Sequence, residues 1–152
     1  TMQTSENKIK FTLGNIKLIS KVIDGKFPDY KKVVPTENNK ILVLPSKDFI
    51  SSIERVTSVS LDRKEGVKLT INKDNVQLSV NSANSGEGNE RIKADFSSDS
   101  LNISFNSKYL IDIVSEVEDQ KLKMNLKDSV SPVLIEDVSD KNSYYVIMPM
   151  KI

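Results

Sequence analysis

The chain reads as an α+β protein, an antiparallel sheet with two helices packed on one face. Three observations predict this. Short runs alternating apolar and polar residues recur along most of the chain, as half-buried strands do. Clusters of Asn, Asp, Ser and Gly separate those runs. Two segments switch from period two to helical spacing.

Taken in order, Lys8-Ile9-Lys10-Phe11-Thr12-Leu13 alternates, Gly14-Asn15 turns, and Ile16 to Val22 resumes the alternation, so residues 8–22 read as a hairpin. A proline-bounded stretch, Asp24 to Pro35, leads to a polar linker, Thr36-Glu37-Asn38-Asn39. Ser46 to Val56 places Phe49, Ile50, Ile53 and Val56 on one stripe, with Ser46 as the expected N-cap and Asp48 suited to the positive helix start. Strands are expected at Val67–Ile71, Val76–Val80, Arg91–Phe96 and Leu101–Phe105. The intervening turns are Asn72–Asn75, the Ser- and Gly-rich Asn81–Asn89 as a hairpin tip, and Ser97–Ser100. The second helix spans Asn106 to Val117, with Asn106 as cap and Tyr109, Leu110, Ile113, Val114 and Val117 on its stripe. Strands at Leu122–Leu126, Val133–Val138 and Tyr144–Met148 close the chain.

This order divides the sequence at the linker. Residues 39–152 form one domain, and residues 1–38 form the closing strands of an incomplete preceding domain plus the linker, since a lone hairpin is marginal in water. No internal repeat is visible in the sequence.

Composition narrows the chemistry. The 152 residues include neither cysteine nor histidine, so disulfides, thiolate chemistry and the commonest general base and metal ligand are excluded. The longest apolar runs, such as Ile41 to Leu44, are too short to span a bilayer as a helix. No signal peptide is visible. With 22 basic and 21 acidic side chains the formal charge is +1. Proteins that grip nucleic acid through phosphates need a strong basic excess, whereas one that merely surrounds it does not. Without histidine no Ser-His-Asp arrangement exists. Adjacent Ser-Lys pairs at Ser46-Lys47 and Ser107-Lys108 do not face each other on a helix. Glu116, Glu118 and Asp119 match no calcium loop and read as a solvated acidic cluster. The glycine-rich Ser85–Asn89 lacks the lysine and hydroxyl residue of a phosphate-binding loop. No catalytic residue and no cofactor is expected.

Two distant segments carry the most specific information. Asp24-Gly25-Lys26-Phe27-Pro28-Asp29-Tyr30-Lys31-Lys32-Val33 and Tyr145-Val146-Ile147-Met148-Pro149-Met150-Lys151 each set proline among large apolar and basic residues. With Phe105-Asn106-Ser107-Lys108-Tyr109-Leu110 and Asp128-Ser129-Val130-Ser131-Pro132-Val133-Leu134-Ile135-Glu136-Asp137, they occur in the order found in bacterial sliding clamps, the beta subunits of DNA polymerase III. The chain resembles that family over nearly its whole length. The resemblance implies the DNA-clamp fold and a non-catalytic processivity factor of the bacterial cytoplasm and nucleoid. It implies a head-to-tail homodimeric ring that encircles duplex DNA without reading its sequence. Such a ring tethers the replicative polymerase, the clamp loader, translesion polymerases and repair proteins through short linear motifs, with no membrane role.

Residue by residue, the resemblance implies a partner-peptide groove of Pro28, Lys32, Val33, Asn106, Tyr109, Val130, Pro132, Val146, Met148, Pro149, Met150, Lys151 and Ile152. Lys32 and Lys151 stand where arginine is common in the family, keeping charge but losing bidentate geometry. Pro132 stands where serine is frequent. Candidates for the DNA channel are Lys47, Arg55 and Lys108. Candidates for the dimer interface are Arg55, Val59 and Ser60. The residues alone leave open an α+β peptide-binding module unrelated to DNA, and a hydrolase that works through carboxylates such as Glu116 and Glu118.

Overall fold

A computed structural model describes residues 1–60, 66–82, 86–118, 120–140 and 142–151. The chain divides into two compact units, Thr1–Tyr30 and Lys31–Ile152. In the first, β1 (Met2–Thr4), β2 (Lys8–Leu13) and β3 (Ile16–Lys21) form a three-stranded antiparallel sheet. The expected hairpin is its β2–β3 part, with Leu13 paired to Ile16 and Gly14 at φ +58°, a conformation that glycine adopts without a Cβ penalty. Phe11, Leu13, Ile16, Leu18 and Ile19 are all exposed, so this small sheet buries little apolar surface by itself.

The second unit begins within a single 3₁₀ turn, Tyr30–Lys32. It continues as β4 (Lys40–Pro45), α1 (Ser46–Thr57), β5 (Gly66–Ile71), β6 (Asn75–Ser82), β7 (Gly86–Lys93), β8 (Asp95–Phe96), β9 (Leu101–Asn106), α2 (Ser107–Ser115), β10 (Lys121–Leu126), β11 (Val133–Asp137) and β12 (Tyr144–Ile147). The α+β class, the antiparallel strands and the two helices are as the sequence predicts. The strands are shared between two sheets, in the orders β12-β11-β10-β4-β8 and β7-β6-β5-β9.

A duplication hidden in the sequence shows in this topology. Strand, helix and three strands occur twice: β4-α1-β5-β6-β7, then β9-α2-β10-β11-β12. The opening strand of each half joins the sheet of the other. β4 pairs with β10, and β9 pairs with β5. Each helix follows its strand directly, with no intervening loop.

Alternation along the strands sends one set of side chains inward. Leu42, Leu44, Leu122, Met124, Val133, Ile135 and Ile147 from one sheet and Val67, Leu69, Ile71, Val76, Leu78 and Ile103 from the other share one buried cluster. The helices add Phe49, Ile53, Val56, Leu110 and Val114. Helix α1 lies against β5, β6 and β7, touches β4, and packs on α2. It therefore joins both sheets, and this packing holds a helix of low intrinsic propensity.

Four local expectations are corrected. Ser46 is the first helical residue and is buried; Pro45 stands at the cap position and no side chain caps the helix. The Ser46 N–H instead donates to the Gln120 carbonyl at 3.0 Å. Residues 86–89 belong to β7 rather than to a hairpin tip. Arg91–Phe96 is not one strand: β7 ends at Lys93, and Asp95–Phe96 crosses to pair with β4 in the other sheet. The second helix ends at Ser115, its last turn tightened by the Glu116 N–H to the Ile113 carbonyl.

The glycine at position 88 has a packing reason. A Cβ built there would lie 2.5 Å from the Val56 carbonyl oxygen and 3.0 Å from its Cα, so α1 crosses β7 on bare backbone. Gly88→Ala is expected to lower unfolding free energy by about 1–3 kcal/mol through forced displacement of α1. Urea denaturation followed by circular dichroism measures this, and an unchanged midpoint would show that the helix shifts freely.

Candidate functional site

The second helix and the end of the chain together enclose a groove of about 600 Å³. One wall comes from Asn106, Tyr109, Asp112 and Ile113 and the other from Val146, Ile147, Met148, Pro149 and Met150. Helical geometry supplies the first wall, because Tyr109, Asp112 and Ile113 lie at i, i+3 and i+4. Asn106 fixes where that helix begins. Its Oδ1 accepts from the Lys108 N–H at 3.0 Å and the Tyr109 N–H at 3.4 Å, so the expected cap is present. Asn106→Ala should cost about 1 kcal/mol in thermal or urea unfolding, while Asn106→Asp, which keeps an acceptor, should cost much less.

The second wall follows from proline chemistry. β12 pairs with β11 as far as Ile147. Pro149 has no N–H to extend the ladder, and the chain leaves the sheet. The Met150 N–H then donates to the Ser104 carbonyl on β9 at 2.7 Å. β9 is the edge strand of the four-stranded sheet. The tail therefore bridges from one sheet to the other and shields part of an open edge. Tyr109 (58 % exposed) and Met148 (60 %) leave large apolar surface in water at this groove.

Of the expected groove residues, the structure brings together Asn106, Tyr109, Val146, Met148, Pro149 and Met150. Asp112, Ile113 and Ile147 also line it and were missed; Ile113 lies on the expected helix stripe and Ile147 in the expected last strand, whereas Asp112 gave no signal in the sequence. Lys32, Val33, Val130, Pro132 and Lys151 do not line it. Lys32 and Val33 are exposed at the 3₁₀ turn and just after it. Val130 is exposed on the β10–β11 turn, which Asp128 makes rigid. The Asp128 carboxylate accepts from the Val130 N–H at 2.9 Å, the Ser131 N–H at 2.7 Å and the Ser131 hydroxyl at 2.9 Å. Those donors, the Val130 N–H foremost, hold its carboxyl below the usual carboxylate range. The Pro132 carbonyl accepts from Asn38 Nδ2 at 2.9 Å, and the same amide donates to the Asn125 carbonyl at 2.8 Å. Pro28 is an exposed residue of the first unit, and Ile152 lies outside the described residues.

Lys47 and Lys108 are exposed in the first turns of α1 and α2. Arg55 is engaged: its Nε donates to Glu90 Oε2 at 3.0 Å, its Nη2 donates to Glu90 Oε1, and Nη2 also reaches Ser52 Oγ at 3.2 Å. That fork clasps α1 to β7 and holds the Glu90 carboxyl below its usual range. Val59 is half-buried against the core and Ser60 is buried. Among the described residues, no three carboxylates converge in a way that would hold a metal ion. The Glu118 N–H donates to Asp137 Oδ2 at 2.9 Å, and Asp119 lies outside the described residues. No described helix is long and apolar enough to cross a membrane.

Comparison with known proteins agrees with this architecture. The family profile described as "DNA polymerase III beta subunit, C-terminal domain" matches residues 31–151. The beta sliding clamp of Caulobacter vibrioides is 34 % identical over 151 residues, covering 99 % of this chain and 41 % of that protein. That of Escherichia coli K12 is 30 % identical over the same length, again covering 99 % and 41 %. A sliding clamp of Bartonella birtlesii superposes with a TM-score of 0.90 at 39 % identity, covering 99 % of this chain and 43 % of that one. The same organism's clamp bound to griselimycin gives a TM-score of 0.91, covering 99 % and 41 %. The chain thus spans about two fifths of the length of the curated relatives it matches.

Proposed function

This chain belongs to the DNA polymerase III beta subunit family, and from that premise we propose that it is the carboxy-terminal part of a sliding clamp whose groove receives short linear motifs of replication and repair proteins. In this reading the protein is a non-catalytic processivity factor of the bacterial cytoplasm. As a whole ring it encircles duplex DNA and tethers the replicative polymerase, the clamp loader, translesion polymerases and repair proteins. The observation that carries it is the groove between α2 and the final strand, where Tyr109 and Met148 stay exposed beside Pro149 and Met150. Apolar lining with a few polar groups suits a peptide hot spot, and thioether side chains repack around related sequences. Lys47 and Lys108 at the helix starts, with a formal charge of only +1, fit a ring that surrounds DNA loosely. Residues 1–38 are the closing strands and linker of the preceding clamp domain. Of the expected groove residues outside the described cavity, those of the second unit, Lys32, Val33, Val130, Pro132 and Lys151, are its further margin in this reading. Arg55, Val59 and Ser60 lie toward the ring contact.

Fluorescence anisotropy of a labelled peptide of the Gln-Leu-x-Leu-Phe type, titrated with this chain, tests the reading. Saturable binding is expected. A flat titration up to the highest soluble protein concentration would count against the groove.

A further inference from the structure

One wall of the groove carries a carboxylate that is in no ion pair among the described residues. Of the nine described residues lining it, Asp112 is the one that is Asp, Glu, Lys or Arg. None of the ion pairs among described residues involves it. Three carboxylates of this unit are in ion pairs, Glu90 with Arg55, Glu136 with Lys123 at 2.8 Å and Glu37 with Lys127 at 2.7 Å, and none of the three lines the groove. Asp112 sits one turn beyond Tyr109 and next to Ile113, facing a wall of Val146, Ile147, Met148, Pro149 and Met150.

Asp112 is exposed, so its carboxylate is open to water. A peptide that fills the groove displaces that water, and a desolvated carboxylate without a counter-charge or donor is costly. The same desolvation strengthens attraction to a cation brought by the ligand. We propose that Asp112 is a specificity residue of the groove: it favours peptides with a basic residue flanking the apolar anchors and disfavours those with an acidic residue there. This rests on the groove being a peptide site.

The test uses labelled peptides that share one apolar core and carry Lys, Gln or Glu at either flank. Each is titrated by anisotropy against the wild-type chain, Asp112→Asn and Asp112→Lys, with folding checked by circular dichroism. The readout is the ratio of the Kd for the Glu peptide to that for the Lys peptide. In the wild type, at low salt and at one flank, a ratio of about three to ten is expected, shrinking as salt is added. Asp112→Asn should bring it close to one, and Asp112→Lys should invert it. A wild-type ratio near one at both flanks, or a ratio that survives Asp112→Asn, overturns the assignment while leaving the groove intact. If the Gln peptides do not bind the wild type either, the groove reading falls and this inference falls with it.

Discussion

Phe49→Ala is expected to remove about 3–5 kcal/mol from the unfolding free energy of the second unit. Phe49 is fully buried on α1, the helix that touches strands of both sheets. Truncation loses the transfer free energy of the ring and leaves a cavity in the core that the close-packed surroundings fill only in part. Domains of this size are stable by only about 5–15 kcal/mol, so the variant should sit near the edge of folding. The melting temperature should drop by roughly 10–20 °C. Phe49→Leu, which keeps most of the volume, should cost no more than about 1.5 kcal/mol. A loss below about 1 kcal/mol for the alanine variant would mean that the helix does not join the sheets as described.

The largest expected effect on function comes from Met148. Met148→Ala should weaken binding of an apolar-anchor peptide by at least about thirtyfold, the equivalent of about 2 kcal/mol. Adding Met150→Ala should deepen the loss. Because Met148 is 60 % exposed, its truncation should leave the melting temperature nearly unchanged. The two readouts therefore separate a binding residue from a folding residue. If Met148→Ala instead lowers the melting temperature as much as Phe49→Ala does and leaves peptide affinity alone, the methionine is a packing residue and the groove has been misassigned.

Much of this was legible in the sequence, and the exceptions have physical causes. Period-two runs place β5, β6, β9, β10, β11 and β12 within a residue or two of their observed ends. Asn106 was legible as a cap because its side chain competes for backbone N–H groups whatever the tertiary context. Ser46 misled because the same local signal was overridden by burial, its N–H being taken by Gln120 on a neighbouring segment. Alternation says which face of a strand is wet but not which strand lies beside it. The split into two sheets and the exchange of β4 and β9 were therefore invisible. Glycine at 86 and 88 reads as a turn in sequence, yet Gly88 pairs with Val80 in a strand and is glycine because a helix backbone passes over it. In the groove, the apolar tail stood out by composition. Asp112 did not, since a single acid on a helix looks like solvated surface until its neighbours are known.

The strand exchange also makes the two halves mutually dependent. Neither βαβββ half holds a complete sheet: the first half lacks the strand that ends beside Asn106, and the second lacks the strand that runs into Ser46. Severed in the turn between Phe96 and Leu101, the pieces would be expected to stay unstructured apart and to reassemble on mixing, each supplying the other's missing strand. Because α2 grows from a strand seated in the opposite half's sheet, that reassembly would also restore the groove. Peptide capture would thus report the reunion of two separately expressed fragments, giving this fold the logic of a split reporter.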